Sequence, residues 1–265
     1  VPHITFATIV LASLLLPAIA VAQGTPAGEP TDIPPVVWEL QTLSTGAEQL
    51  TPPNPAAYTV QFLSDGELRV RADCNRGIGD YTLDGSSITI GPIGLTRMGC
   101  PAGSLDGRFM EALSRAAVWS FQDDLLILDA PADSGSLAFA PALTGVVWEW
   151  QGFAGGDGST VTPDDPTAYT IAFVNESELA LRADCNQGRG AWTADPPQID
   201  LTPGAITVIG CEEGSLDGRF LTDLDQVSSF VFREGLLYLA LPMDAGIHAF
   251  AGTPPTIDAT PAAGS

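Results

Sequence analysis

The chain has 265 residues, 45% of them hydrophobic, with 28 Gly and 22 Pro, a composition that supplies two packed domains rich in turns and short strands and argues against disorder. Thirty-two acidic residues oppose ten basic ones, all Arg, and the first 22 residues carry no Asp, Glu, Lys or Arg, so the formal charge of −22 falls on the rest of the chain. A field of that sign repels phosphate backbones and anionic headgroups, which disfavours nucleic acid and acidic membrane surfaces as partners; its plain use is solubility.

The chain opens on an apolar stretch. Ile9 to Ala22 ends in Ala20-Val21-Ala22 before Gln23, a small-x-small pattern that predicts a signal peptide over 1–22, cleaved near Ala22. Pro17 interrupts the run, which is shorter than the ~20 apolar residues that span a bilayer. No integral membrane span is therefore expected in the mature chain, with an uncleaved anchor as the alternative. Export places the protein in the periplasm, the cell envelope or the medium. Residues 23–35, rich in Pro, Thr, Ala and Gly, are expected to form a flexible linker.

A first domain is expected over 36–140. Strands are predicted from Val36 to Leu43, Tyr58 to Leu63 and Glu67 to Ala72, the last two joined across Ser64-Asp65-Gly66, a hairpin turn signal. Next come a Cys74-Asn75 pair and a glycine-rich turn at Gly77. A second hairpin sets Asp80 to Leu83 against Ser87 to Ile90, and strands from Val118 to Phe121, Leu125 to Asp129 and Ser136 to Ala140 close the unit. One helix is predicted, from Ser104 to about Ala117, because Leu105, Phe109, Leu113 and Ala116 recur at three- and four-residue steps. A helix with one apolar stripe buries it against a sheet. The expected fold class is α+β, mainly β: two tandem small antiparallel β-barrel-like domains, each with one packed α-helix.

The second domain follows from repetition. Arg71-Ala72-Asp73-Cys74-Asn75 recurs as Arg182-Ala183-Asp184-Cys185-Asn186, and Ser104-Leu105-Asp106-Gly107-Arg108-Phe109 as Ser215-Leu216-Asp217-Gly218-Arg219-Phe220, each offset by 111. Val36-Val37-Trp38-Glu39 returns as Val146-Val147-Trp148-Glu149 with an offset of 110, so one insertion separates that strand from the rest. The second copy spans 146–250, Pro141 to Gly145 joins the two, and 251–265 is expected to be a flexible tail. The four cysteines form two pairs 26 positions apart, Cys74 with Cys100 and Cys185 with Cys211. In an exported chain these are expected as disulfides, each stabilising its domain by roughly 3 kcal/mol.

The Trp-containing first strand, the Cys74-Asn75 pair, Thr96-Arg97-Met98-Gly99-Cys100 and the following amphipathic helix resemble the META domain (HslJ-like) family of exported bacterial proteins. Cys185-Asn186, Thr207-Val208-Ile209-Gly210-Cys211 and the helix from Ser215 carry the resemblance in the second copy. It implies a cracked β-barrel with a packed helix, exported to the envelope or beyond, and it brings no catalytic residues with it. Where that family usually has Gly before the first Cys, this chain has Asp73 and Asp184; where it has an aromatic two places after the Asn, Gly77 and Gly188 stand.

Few constellations offer chemistry. Nucleophilic triads need a base, and beyond the N-terminal segment the chain has only His248, opposite Leu137 in the first copy; a surface position on the last strand is expected. Asp106 and Asp217 sit at the helix starts, where carboxylates complement the positive helix end. No His lies near either cysteine pair and there is no Asp-x-Asp-x-Asp-Gly loop, so neither metal nor cofactor is expected. The repeated Arg71, Asp73, Asn75 cluster, with Arg182, Asp184, Asn186, is the candidate recognition patch: Arg beside carboxylate and amide fixes a polar ligand, or else Arg71 pairs with Asp73 and Asn75 supports a turn. The function expected is an exported non-enzymatic binding or interaction protein whose partner is an envelope or extracellular protein or a small ligand. The alternatives are a hydrolase using carboxylates such as Asp73 and Asp184, or a carrier holding a small apolar ligand in the barrel, a space that Trp38, Phe62, Phe109 and Trp119 would otherwise fill.

Overall fold

A computed structural model describes residues 31–46 and 48–255; the expected signal peptide, residues 23–30 of the expected linker and 256–265 of the expected tail lie outside them. The first repeat contains β1 (Trp38–Thr45), β2 (Glu48–Leu50), β3 (Tyr58–Phe62), β4 (Glu67–Ala72), β5 (Asn75–Asp84), β6 (Ser87–Ile90), β7 (Gly94–Leu95), α1 (Asp106–Leu113), β8 (Val118–Gln122), β9 (Leu125–Asp129) and β10 (Ser136–Pro141). Neighbouring strands run β1-β3-β4-β5-β6-β8-β9-β10, and β10 pairs with β1 to close the ring. The ring is thinnest between β6 and β8, which share one residue pair, Ser87 with Val118.

The second repeat repeats the ring with β11 (Val147–Gly155), β12 (Thr160–Val161), β13 (Tyr169–Phe173), β14 (Glu178–Ala183), β15 (Asn186–Asp195), β16 (Gln198–Ile206), α2 (Asp217–Leu224), β17 (Ser229–Arg233), β18 (Leu236–Ala240) and β19 (Gly246–Thr253). It closes through β11 and β19 and is thin at the same place, where Gln198 alone faces Ser229 between β16 and β17. The extra residue of this copy falls between β11 and β13, since Ser44 faces Ser136 in the first ring and Ala154 faces Ile247 in the second.

Alternation fixes which side chains enter. Trp38 and Leu40 point inward, a register shift falls between Leu40 and Thr42, and Leu43 then takes the inward place. The bulge turns the strand by one residue; β11 does the same with Trp148, Trp150 and Phe153. The helices close the rings from inside through Phe109 and Leu113, and through Phe220 and Leu224. Trp38, Phe62, Phe109 and Trp119 are all buried, with Phe109 edge-on to Tyr58 and Phe139, so side chains fill the first barrel where an internal apolar ligand would lie.

Several expectations are corrected. The glycine-rich turn after Asn75 is strand: β5 starts at Asn75, and Gly77 and Gly79 lie under Ile93, which would stand 2.8 and 2.9 Å from a Cβ at those positions. The helices begin two residues later and end four earlier than the apolar periodicity suggested. The ends of the described chain are packed: Ile33 and Val36 are buried, and Ala251 to Thr253 belong to β19, so neither the end of the expected linker nor the start of the expected tail is loose.

The two rings touch. The Ala142 N–H donates to the Val37 carbonyl at 2.8 Å, and Thr144 in the connection bridges to Phe173 of the second ring. Val36 seats against Gly252, where a Cβ would stand 2.4 Å from Val36 Cγ1, and Pro34 seats against Gly235. Only glycine admits so close an approach.

Candidate functional site

The sequence-predicted cluster sits at the β4–β5 hairpin, where Ala72 faces Asn75 and only Asp73 and Cys74 make the turn. Asp73 there has φ 57° and Asp184 in the second copy has φ 56°. That is the left-handed region, which Gly enters freely and Asp tolerates, and it gives a physical reason for the Gly usual before this Cys.

Asn75 is buried and fully used. Its Oδ1 accepts the Met98 N–H at 2.7 Å and the Thr96 hydroxyl at 3.0 Å, while its Nδ2 donates to the Met98 carbonyl at 3.2 Å and lies 3.3 Å from Cys100 Sγ. Thr96 Oγ1 in turn accepts the Arg76 N–H at 3.0 Å. Asn186 repeats this on Thr207 and Ile209, accepting the Ile209 N–H at 2.8 Å and donating to its carbonyl at 3.1 Å, and adds a bond to Asp217 Oδ2 at 3.2 Å. The Cys74–Cys100 and Cys185–Cys211 disulfides close beside these amides. Asn75 and Asn186 therefore grip backbone and leave no polar atom for a ligand, which corrects their place in the recognition patch.

Arg71 and Asp73 do not form an ion pair. Arg71 donates from Nε to the Asp73 main-chain carbonyl at 3.3 Å and from its guanidinium to the Ala56 carbonyl at 3.0 Å; Arg182 makes the same contact with the Asp184 carbonyl at 3.2 Å. The Asp73 carboxylate instead accepts from the Tyr58 hydroxyl at 3.4 Å. That hydroxyl accepts the Leu105 N–H at 2.9 Å, as Tyr169 accepts that of Leu216, so each tyrosine joins its hairpin to the start of its helix. Ser104 and Ser215, not Asp106 and Asp217, receive the first free helix N–H, at 3.2 and 3.3 Å.

The product of this network is a held loop with an apolar tip. Met98 is 60% exposed and Ile209, its counterpart, 58%, with Val208 beside it at 97%. Large apolar side chains thus stand at matching surface positions on backbone held by a disulfide, an amide clamp and a hydroxyl. The sequence reading passed over these tips; the repeated Thr-x-x-Gly-Cys spacing was the available signal, and it names the clamp and not the tip.

His248 is fully buried, contrary to the expected surface position. It lies against Phe153 and Trp150, with ring centroids 4.7 and 5.6 Å away, and neither ring nitrogen has an aligned hydrogen-bond partner. Asp223 Oδ2 stands 3.3 Å from Nε2. Burial lowers the imidazole pKa from 6.5 to about 4, Asp223 opposing this and Arg219 adding to it. Among the described residues neither ring nitrogen hydrogen-bonds to a hydroxyl or thiol. At the equivalent place the first repeat has Leu137 beside a cleft of about 220 Å³.

Among the described residues no group of three or more His, Cys, Asp or Glu is arranged to hold a metal ion, and no helix is long and apolar enough to cross a membrane.

The META domain family model matches the chain twice, over residues 31–143 and 141–250. Among solved structures, the chain is similar to a protein from Burkholderia xenovorans solved by NMR, with 21% identity and TM-score 0.37, over 48% of this chain and 99% of that one. It is also similar to a DUF4847 family protein from Bacteroides vulgatus, with 16% identity and TM-score 0.31, over 41% of this chain and 93% of that one. No curated protein matches it.

Proposed function

The chain belongs to the META domain family, in two tandem copies, and from that premise we propose that it is an exported, non-enzymatic interaction protein whose partner docks on the clamped loops at 96–100 and 207–211. The observation that carries the reading is the exposure of Met98, Val208 and Ile209 on backbone that the rest of each hairpin is built to hold. An exposed apolar side chain on a rigid support binds with little ordering cost, and two such elements on one chain act together on a partner that reaches both.

Two further features support it. The paired cysteines are consistent with an oxidising compartment such as the periplasm or the extracellular space. The hydrolase alternative needs Asp73 and Asp184 free to work on a substrate, whereas each lies in a hairpin turn and Asp73 holds a tyrosine hydroxyl.

The test is quantitative co-purification from the exported fraction of cells expressing the protein, comparing the natural chain with a Met98→Asp, Ile209→Asp variant. Both side chains are outside the core, so the variant should fold. A partner retained by the natural chain and lost by the variant is the expected result; equal retention would place the contact elsewhere. Turnover on a hydrolase substrate panel, abolished by Asp73→Asn with Asp184→Asn, would replace the reading with the enzymatic one.

A further inference from the structure

The two rings differ on one outer face. On the second, strands β11, β19, β18 and β17 form a groove of about 460 Å³ walled by Val231, Tyr238 and Ile247 and floored by Gly152, Ala154 and Ala249, with β12 along its other side. Val231 is 53% exposed and Ile247 46% exposed. These side chains point away from the barrel, so core packing does not require them to be apolar.

The first repeat is an internal control. Strand pairing places Ser120, Ser136, Ser44 and Thr42 where the second has Val231, Ile247, Ala154 and Gly152. At these four positions the second copy exchanges hydroxyls for bulk on the wall and for space on the floor, while Tyr238 brings a phenol where the first has Ile127 and Thr160 and Thr162 line the β12 side. Two residues beyond Val231 on the same face stands Arg233, where the first repeat has Gln122. Arg233 makes no ion pair or side-chain hydrogen bond among the described residues, in a chain where acidic residues outnumber Arg thirty-two to ten.

We infer that this groove, formed by Val231, Tyr238 and Ile247 over a floor of Gly152, Ala154 and Ala249 and ended by Arg233, binds one small molecule with an apolar body and a single carboxylate. The volume lies in the range of small-molecule pockets, roughly 300–1,000 Å³. A second protein would need a flat area of about 800 Å² per side. The carboxylate follows from charge: the chain repels anions over most of its surface and offers an uncommitted guanidinium at the groove's end. The site is independent of the clamped loops and lies outside the filled barrel.

Dodecanoate below its micelle-forming concentration is a suitable probe, titrated into the full chain by calorimetry with dodecan-1-ol as the uncharged control. Saturable binding at one site is expected, about tenfold weaker for Arg233→Gln with no change for the alcohol. Val231→Ser with Ile247→Ser, which installs the first repeat's residues, should abolish binding of both. Methyl NMR of the natural chain removes dependence on the folding of variants: Val231 and Ile247 methyl signals should shift on titration. Absence of binding, unshifted methyls, or shifts on simple dilution that mark a second copy as the occupant would each overturn the assignment.

Discussion

Asn75 and Asn186 show how one side chain organises a hairpin and a distant loop at once. Removing either amide leaves a part-buried main-chain N–H and carbonyl without their partners, so Asn75→Ala should cost about 1–2 kcal/mol in urea unfolding. An effect below about 0.5 kcal/mol would mean that the loop is held by the disulfide alone. His248 makes a prediction with a sign. Its folded pKa, about 4, lies below the ordinary 6.5, so the unfolded chain takes up the proton first and stability falls as pH drops from 6.5 towards 4. The slope approaches about 1.4 kcal/mol per pH unit only in the middle of that window and falls off towards both ends. His248→Leu, the residue of the first repeat, should remove this part of the acid sensitivity; identical pH profiles for variant and natural chain would show that the imidazole contributes none of it.

The hairpin, disulfide and helix of each repeat form a unit in which the cysteine bridge ties the hairpin turn to the segment before the helix. Closing a loop of that size constrains the unfolded chain, so Cys74→Ser with Cys100→Ser should lower stability by roughly 3 kcal/mol in urea unfolding. A loss below about 0.5 kcal/mol would mean that the native contacts alone hold the hairpin against the segment before the helix. Most of these elements were legible in the sequence. Period-two alternation and Gly-containing turns marked the strands, and the apolar stripe marked the helix. The Asn75–Gly79 stretch was not, because its glycines signal a turn locally and are required in strand by the close approach of Ile93, a contact no local pattern contains. The helix was over-extended for a similar reason: Ala116 continues the apolar spacing yet is buried beyond the last helical turn. At the candidate site, Arg71 and Asp73 were found in the right place with the wrong bonds. Which atom an Arg donates to depends on a carbonyl fifteen residues back in the chain, Ala56, and on backbone turning at Asp73.

Across the whole molecule, duplication has produced two rings with the same frame, the same clamp and different faces. Val36, buried between them against Gly252, makes the first repeat's entry segment part of the second repeat's packing. Val36→Asp places a carboxylate in that contact and should split thermal unfolding into two calorimetric transitions, against the single one expected of the natural chain. A single transition for the variant would mean that the rings are coupled elsewhere. The shared clamp sets the stronger expectation: the loop tips, and not exposed apolar surface in general, meet the partner. A photo-crosslinking amino acid placed in turn at Met98, Ile209 and Met243 in the exported protein separates these, because Met243 is 95% exposed but lies on a turn outside the clamp. Adducts of one discrete mass from positions 98 and 209, and none from 243, are the expected result. Adducts from 243 matching those of the loops, or no adduct from either loop, would contradict the clamped loops as the contact site.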